Sequence, residues 1–146
     1  MAASRYFLDA NIFLRLIDRA DRVKTSNCEE LFRLFQKKKF DILTSQLVLG
    51  EVVWTAMKLY QLKRSDTLRF LQSIAEIPGL DIVDRCDLSI AVSFYERFSV
   101  SLTDAFIAAS LLSFSSPTLL VSYDRDFDKM NVPRIEPGAL VKRISK

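Results

Sequence analysis

Short apolar stretches alternate with segments of helical periodicity along the whole chain, and that alternation constrains the fold more than any other feature. Tyr6 to Leu8, Asp41 to Thr44, Leu80 to Val83, Thr118 to Val121 and Arg134 to Ile135 read as strands. Between them helices are expected over Asn11 to Ile17, from Ser26, over Gln46 to about Tyr60, and from Ser65 and Asp66. Further helices follow around Leu88 to Tyr95, over Leu102 to Phe114, and briefly from Asp124. Strands separated by helices require right-handed crossovers and a mainly parallel sheet covered on both faces. The class is α/β. With no internal repeat, low-complexity tract or linker, residues 1–146 are expected to form one domain.

Local signals support these elements. Ser26 with Glu29 has the form of a capping box, followed by an apolar face of Leu31, Phe32, Leu34 and Phe35, and Lys37 to Lys39 suit the negative end of the helix. Ser45 can cap the helix from Gln46. Leu68, Leu71 and Ala75 share one face of the next helix, which Pro78-Gly79 stops. Trp54, Met57 and Tyr60 are assigned to the core, with a partner-binding patch as the alternative. The strand at Arg134 to Ile135 is the last element expected.

Composition narrows the chemistry. Histidine is absent, which removes Ser-His-Asp and Cys-His catalysis and the usual zinc-hydrolase ligand sets. The two cysteines, Cys28 and Cys86, lie far apart without metal-type spacing, so both are expected as inert core thiols in a reducing cytosol. A net charge of +3 permits a polyanionic partner without demanding one. The N-terminus shows no basic segment leading into an apolar core and cleavage site. Pro117 and its neighbouring serines interrupt the uncharged run from Phe106 to Tyr123, against a membrane span. A cytoplasmic protein is expected.

In a parallel α/β sheet ligands bind outside the carboxyl ends of the strands, where the following helices begin. Asp9 follows the first strand, Asp124 the fourth, with Asp126 and Asp128 close behind, and Asp104 opens the helix before that fourth strand. Glu51 lies about two turns into the helix after the second strand. Each Asp is also suited to capping a helix, where caps and the macrodipole contribute about 0.5–2 and 0.3–1 kcal/mol. Glu51 is different, because Leu47 to Trp54 surrounds it with apolar neighbours and no basic residue lies within a turn. An unpaired buried charge costs several kcal/mol, so a bound cation, a distant Arg or protonation must answer it.

Carboxylates gathered without histidine or thiolate make an all-oxygen site, which suits Mg²⁺ or Mn²⁺. An ion held this way can activate a water, orient it on phosphorus and stabilise the leaving oxygen, the tasks of phosphodiester hydrolysis.

The ordered set of Phe7 to Phe13, Leu47 to Glu51, Leu102 to Ala109 and Leu120 to Phe127 resembles the PIN-domain family of metal-dependent ribonucleases, and in size and layout the VapC toxins of toxin–antitoxin pairs. That resemblance spans nearly the whole chain. It implies a three-layer α/β/α fold whose sheet of four or five mainly parallel strands runs in the order 3-2-1-4-5. It also implies Asp9, Glu51, Asp104 and Asp124 as metal-binding and catalytic acids, with Asp126 as a fifth member or a substitute for Asp124. Asn11 would orient the first acid, and Ser122 stands where the family often has Thr; local backbone capping is the alternative for both. An RNA substrate, a homodimer and a small antitoxin that blocks the acidic site complete what the resemblance implies. Arg15, Arg19, Arg22, Lys24, Arg125 and Lys129 are candidates for holding RNA phosphates, although solvated helix faces explain them equally well.

Other readings keep the acids and change their use. A phosphotransferase also places Asp at strand ends, but the haloacid-dehalogenase pattern needs Asp where Asn11 stands. A P-loop and a GxGxxG sequence are both missing. A binding module with a degenerate site would not need so many acids, whereas a housekeeping RNA-maturation nuclease would need the same ones.

Overall fold

The computed structural model describes residues 5–146. The chain begins with β1 (Arg5–Leu8) and the short α1 (Ala10–Leu14), followed by α2 (Arg22–Lys37) and β2 (Asp41–Thr44). Next come α3 (Gln46–Lys58), α4 (Arg64–Ala75), β3 (Leu80–Ile82), α5 (Leu88–Arg97) and α6 (Leu102–Leu112). β4 (Thr118–Val121), a 3₁₀ segment (Arg125–Met130), β5 (Arg134–Ile135) and α7 (Pro137–Ile144) complete the order.

The five strands form one sheet in the order β3-β2-β1-β4-β5, and every pairing is parallel. β1 lies at the centre, with Phe7 in register with Leu43 on one side and Leu120 on the other. The strands read as continuous apolar runs because helices cover both faces. Phe7, Leu8, Ile42, Leu43, Leu120 and Val121 are wholly buried and meet Ile12, Phe13, Leu31, Phe35, Val48, Ile107 and Phe127 in one core. The α/β class and the 3-2-1-4-5 order expected from the sequence are those observed.

Several local expectations differ from the structure. α2 starts earlier than the Ser26 signal implies, because Asp21 caps it by accepting from the Lys24 N–H at 3.0 Å. Ser26 is therefore an exposed residue inside the helix, and no capping box forms there. α4 opens at Arg64 without a side-chain cap. Its buried residues are Thr67 and Ile74, whereas Leu68 and Ala75 face solvent. Cys28 is buried, and burial pushes its thiol up to about 11, but Cys86 is exposed and not part of the core.

α7 is not among the elements the sequence predicts. Pro137 occupies its first turn, and Pro137 and Leu140 are buried. At Gly138 an added Cβ would lie 2.8 Å from Asn27 Nδ2, so the absence of a side chain allows α7 to approach α2 closely. The C-terminal segment thereby covers α2.

Trp54, Met57 and Tyr60 are not core residues. Trp54 is 59% exposed, and the others also reach solvent. α3 buries an inner stripe of Val48, Val52 and Ala56, while Leu47, Trp54 and Met57 leave apolar surface on its outer side. Among the described residues no helix is long and apolar enough to cross a membrane.

Candidate active site

The sheet order places the first acid and the last acids side by side. β1 and β4 pair with Leu8 opposite Val121, so Asp9 and Ser122 leave the sheet at the same edge, where the winding direction reverses. The Asp9 N–H donates to Val121 O at 3.1 Å and the Ser122 N–H to Ile135 O at 3.1 Å, which holds both strand ends in the sheet beyond the last formal pair. α6 runs back from this edge, so its first turn, with Asp104, also lies here.

Asp9 is nearly wholly buried. Its Oδ1 accepts from the Ala10 N–H at 2.8 Å and caps α1, while Oδ2 accepts from the Ser122 hydroxyl at 2.6 Å and from Asn11 Nδ2 at 3.2 Å. One oxygen thus caps α1 while the other is held by Ser122 and Asn11. Asn11 Nδ2 also donates to Ser122 Oγ at 3.1 Å, and its Oδ1 accepts from the Tyr123 N–H at 3.3 Å. Ser122 Oγ accepts from the Asp124 N–H at 3.0 Å, so one buried hydroxyl joins Asp9 to the loop carrying Asp124. Both Asn11 and Ser122 make contacts remote in sequence as well as local ones.

Asp104, Asp124 and Asp126 each place a carboxylate oxygen within 4.8 Å of the others, in a group that could hold a metal ion. Asp124 Oδ1 also accepts from the Asp126 N–H at 2.9 Å, opening the 3₁₀ segment. Ser101 caps α6 by accepting from the Asp104 N–H at 3.1 Å.

The electrostatics tie Asp9 and Glu51 to this trio. Partial burial, then the charges of Asp124 and Asp9 and more weakly Glu51, raise the Asp104 carboxyl to about 7, with Ser101 opposing. Desolvation raises Asp9, opposed by Ser122 and Ala10, and Asp124 adds repulsion. Desolvation also raises Glu51, with Asp9 and Asp124 adding to it. Glu51 is nevertheless exposed by surface area, which corrects the expectation of a buried carboxylate among apolar neighbours. It stands on the open side of α3, and the neighbouring protein removes it from water only in part.

Positive charge near the acids is sparse. Lys129 Nζ lies 2.8 Å from Asp126 Oδ1. Arg15 pairs with Asp18, Arg19 with Glu29 and Lys24 with Asp21. Arg22 and Arg125 are exposed, with no ion pair among the described residues. Arg15 and Lys24 also stand over the Tyr123 ring, the lysine 4.9 Å from its centroid. An all-carboxylate donor set fits a hard divalent cation, since it offers oxygen ligands and negative charge in excess.

Sequence reasoning missed Arg134. Its side chain is only 12% exposed, makes two bonds to Asp128 at 2.9 and 3.0 Å, and donates through Nη1 to Ser122 O at 2.9 Å. The sequence marks Thr44 only as a strand residue, yet its buried Oγ1 donates to Leu8 O at 3.0 Å just before Asp9. Neither has a local sequence signal, because both act across strands.

The sequence profile of the PIN domain matches residues 6–133. The chain belongs to the PIN domain family. No curated protein sequence is recognisably similar to it. Among solved structures it resembles PAE2754 from Pyrobaculum aerophilum at 17% identity and TM-score 0.65, covering 97% of this chain and 95% of that one. It also resembles VapBC-1 from nontypeable Haemophilus influenzae at 13% identity and TM-score 0.64, covering 91% and 98%. A third such structure is VapC20 of Mycobacterium tuberculosis, described as a sarcin-ricin loop cleaving toxin, at 19% identity and TM-score 0.61, covering 87% and 95%. At these identities the likeness concerns the PIN fold.

Proposed function

We propose that this PIN-domain chain is a metal-dependent endoribonuclease hydrolysing RNA phosphodiester bonds, and the toxin of a toxin–antitoxin pair. The observation that carries the proposal is the trio of Asp104, Asp124 and Asp126, with Asp9 and Glu51 close enough for mutual repulsion, in a chain without histidine. Family membership supports nuclease chemistry, and the VapBC and VapC structures with the same fold support the toxin assignment.

Asp9, Glu51, Asp104 and Asp124 would hold Mg²⁺ or Mn²⁺, with Asp126 beside them. When bound, the ion would offset the clustered charge, polarise the scissile phosphate and increase the acidity of the attacking water. The chain's own part is positioning. Ser122 and Asn11 fix Asp9 Oδ2, and the same Ser122 hydroxyl fixes the Asp124 backbone. Arg22 and Arg125, exposed and without ion pairs among the described residues, would be free to meet RNA phosphates.

The proposal includes one domain over the whole chain, a cytoplasmic location, a homodimer and a small antitoxin partner. The exposed apolar side of α3 supports a protein partner. Leu49, Val53, Trp54, Met57 and Leu71 line an open groove of about 600 Å³ between α3 and α4.

Purified protein should cleave structured RNA with Mg²⁺ or Mn²⁺, stop when EDTA is added, and lose activity in Asp9→Asn and Asp104→Asn. Cleavage that survives both chelation and substitution refutes the assignment. A protein that binds RNA without turnover is a binding module, and one phosphorylated at Asp9 is a phosphotransferase.

A further inference from the structure

Lys129 is one turn beyond Asp126, and its ammonium makes contacts in two directions. It lies 2.8 Å from Asp126 Oδ1 and donates to Ser99 O at 3.1 Å. Ser99 lies just before α6, whose first turn carries Asp104. The lysine therefore spans from the 3₁₀ segment to the approach of α6, two of the elements that form the acid group. A half-exposed pair at spacing i,i+3 is ordinarily weak and mobile. Here the Ser99 carbonyl provides a second anchor, on a segment remote in sequence. Of the other basic side chains near this turn, Arg134 is committed to Asp128, Glu136 and Ser122 O, and Arg125 is exposed without an ion pair among the described residues. Among the described residues, Lys129 is the cation paired with a member of the Asp104, Asp124 and Asp126 trio.

We infer that Lys129 is a resident cation that holds Asp126 out of the divalent ion's coordination, leaving Asp104 and Asp124 as the trio's ligands. The inference rests on the metal-dependent function proposed above. A carboxylate oxygen in contact with an ammonium has already spent part of its negative charge, and Mg²⁺ takes few, fully available carboxylates in tight geometry. The ammonium also repels a second divalent ion approaching the same oxygen. The trio is thereby limited to one divalent ion, and Asp126 acts as a positioning residue that links the 3₁₀ segment to α6 through the lysine.

Isothermal titration with Mn²⁺ tests this without any turnover, on the full chain and on Lys129→Met, Lys129→Arg, Asp126→Asn and the Lys129→Met/Asp126→Asn double variant. Removing one charge near a divalent ion changes its affinity by about tenfold at a part-screened site. Lys129→Met should tighten Mn²⁺ about tenfold or admit a second ion, and Lys129→Arg should behave as wild type. Asp126→Asn, which leaves the ammonium unpaired, should weaken binding about tenfold, and the double variant should return to within about threefold of wild type.

Overlapping melts in EDTA confirm that the variants are folded. A double variant as weak as Asp126→Asn shows that Asp126 is a ligand and overturns the inference, as does unchanged affinity in Lys129→Met. Either result leaves metal dependence standing. A wild-type chain that binds no Mn²⁺ overturns both the inference and the proposed function.

Discussion

Ser122 donates its hydroxyl proton to Asp9 Oδ2 at 2.6 Å, across the join between β4 and β1. Ser122 Oγ in turn accepts from Asn11 Nδ2 and the Asp124 N–H, so three groups lose a partner when the hydroxyl is removed. Leaving buried polar groups unsatisfied costs about 1–3 kcal/mol. Ser122→Ala should therefore lower the metal-free melting temperature, by about 2–4 °C per kcal/mol for a chain of this length. It should also reduce cleavage, because Asp9 Oδ2 and the Asp124 backbone lose their common tether. Ser122→Thr keeps the hydroxyl and should recover most of both. Differential scanning calorimetry in EDTA provides the check, and an alanine variant that melts with wild type contradicts it.

Arg134 should matter as much to the same loop from its other side. It clamps Asp128 with two nitrogens and holds Ser122 O, with little solvent access. Arg134→Ala leaves the buried carbonyl without its charged donor while water re-solvates the exposed Asp128 carboxylate, at a cost of about 1–2 kcal/mol. A lysine has no planar fork to span both groups, so Arg134→Lys should recover less than half of the loss. Urea unfolding of the two variants would measure this. A lysine variant as stable as wild type would show that charge alone suffices.

The strands and most helices were legible because their signals are local. Pro78-Gly79 ends a helical run, and Gly79 does take a φ of +78°. The acids at strand ends were legible because parallel topology alone brings Asp9 and Asp124 to one edge. Burial was less legible. Glu51 and Trp54 lie on a helix apolar on every side, and the sequence cannot show which side lacks a covering layer. Ser26 resembled a cap because a serine three residues before an acid is common, whereas Asp21 caps the helix earlier. Arg134 and Lys129 take their meaning from partners outside their own turns and strands, on Ser122 and Ser99 respectively, which no spacing rule reaches.

Glu51 separates stability from ion binding. It is exposed and has no pairing partner among the described residues, while Asp9 and Asp124 repel it. Glu51→Gln should leave the melting temperature in EDTA within about 2 °C of wild type, as expected for a surface change. Saturating Mn²⁺, at about 100 times its dissociation constant, should stabilise wild type by about 2.7 kcal/mol. The glutamine variant should lose most of that gain at the same Mn²⁺ concentration. Thermal shift with and without Mn²⁺ reads both numbers, and an undiminished Mn²⁺ shift removes Glu51 from the ligand set.

Asp104 gives the metal-free chain an inverted pH dependence. Its carboxyl is raised from 3.8 to about 7 by partial burial and then by Asp124 and Asp9. The folded state therefore keeps a proton that the unfolded state releases, so stability is greatest below about pH 4 for this group and declines as pH rises to about 7. A tenfold change in proton affinity between the two states corresponds to about 1.36 kcal/mol, and partial solvent access reduces the whole contribution to about 2 kcal/mol. Asp9 and Glu51, also raised, act in the same direction. In EDTA the melting temperature should fall between pH 5 and pH 8, and Asp104→Asn should flatten part of that slope. Saturating Mn²⁺ should reverse the sign, because the ion binds the ionised carboxylates and its affinity grows as they lose protons. A slope in EDTA that is identical in wild type and Asp104→Asn would mean that Asp104 does not bear the strain of the clustered charge.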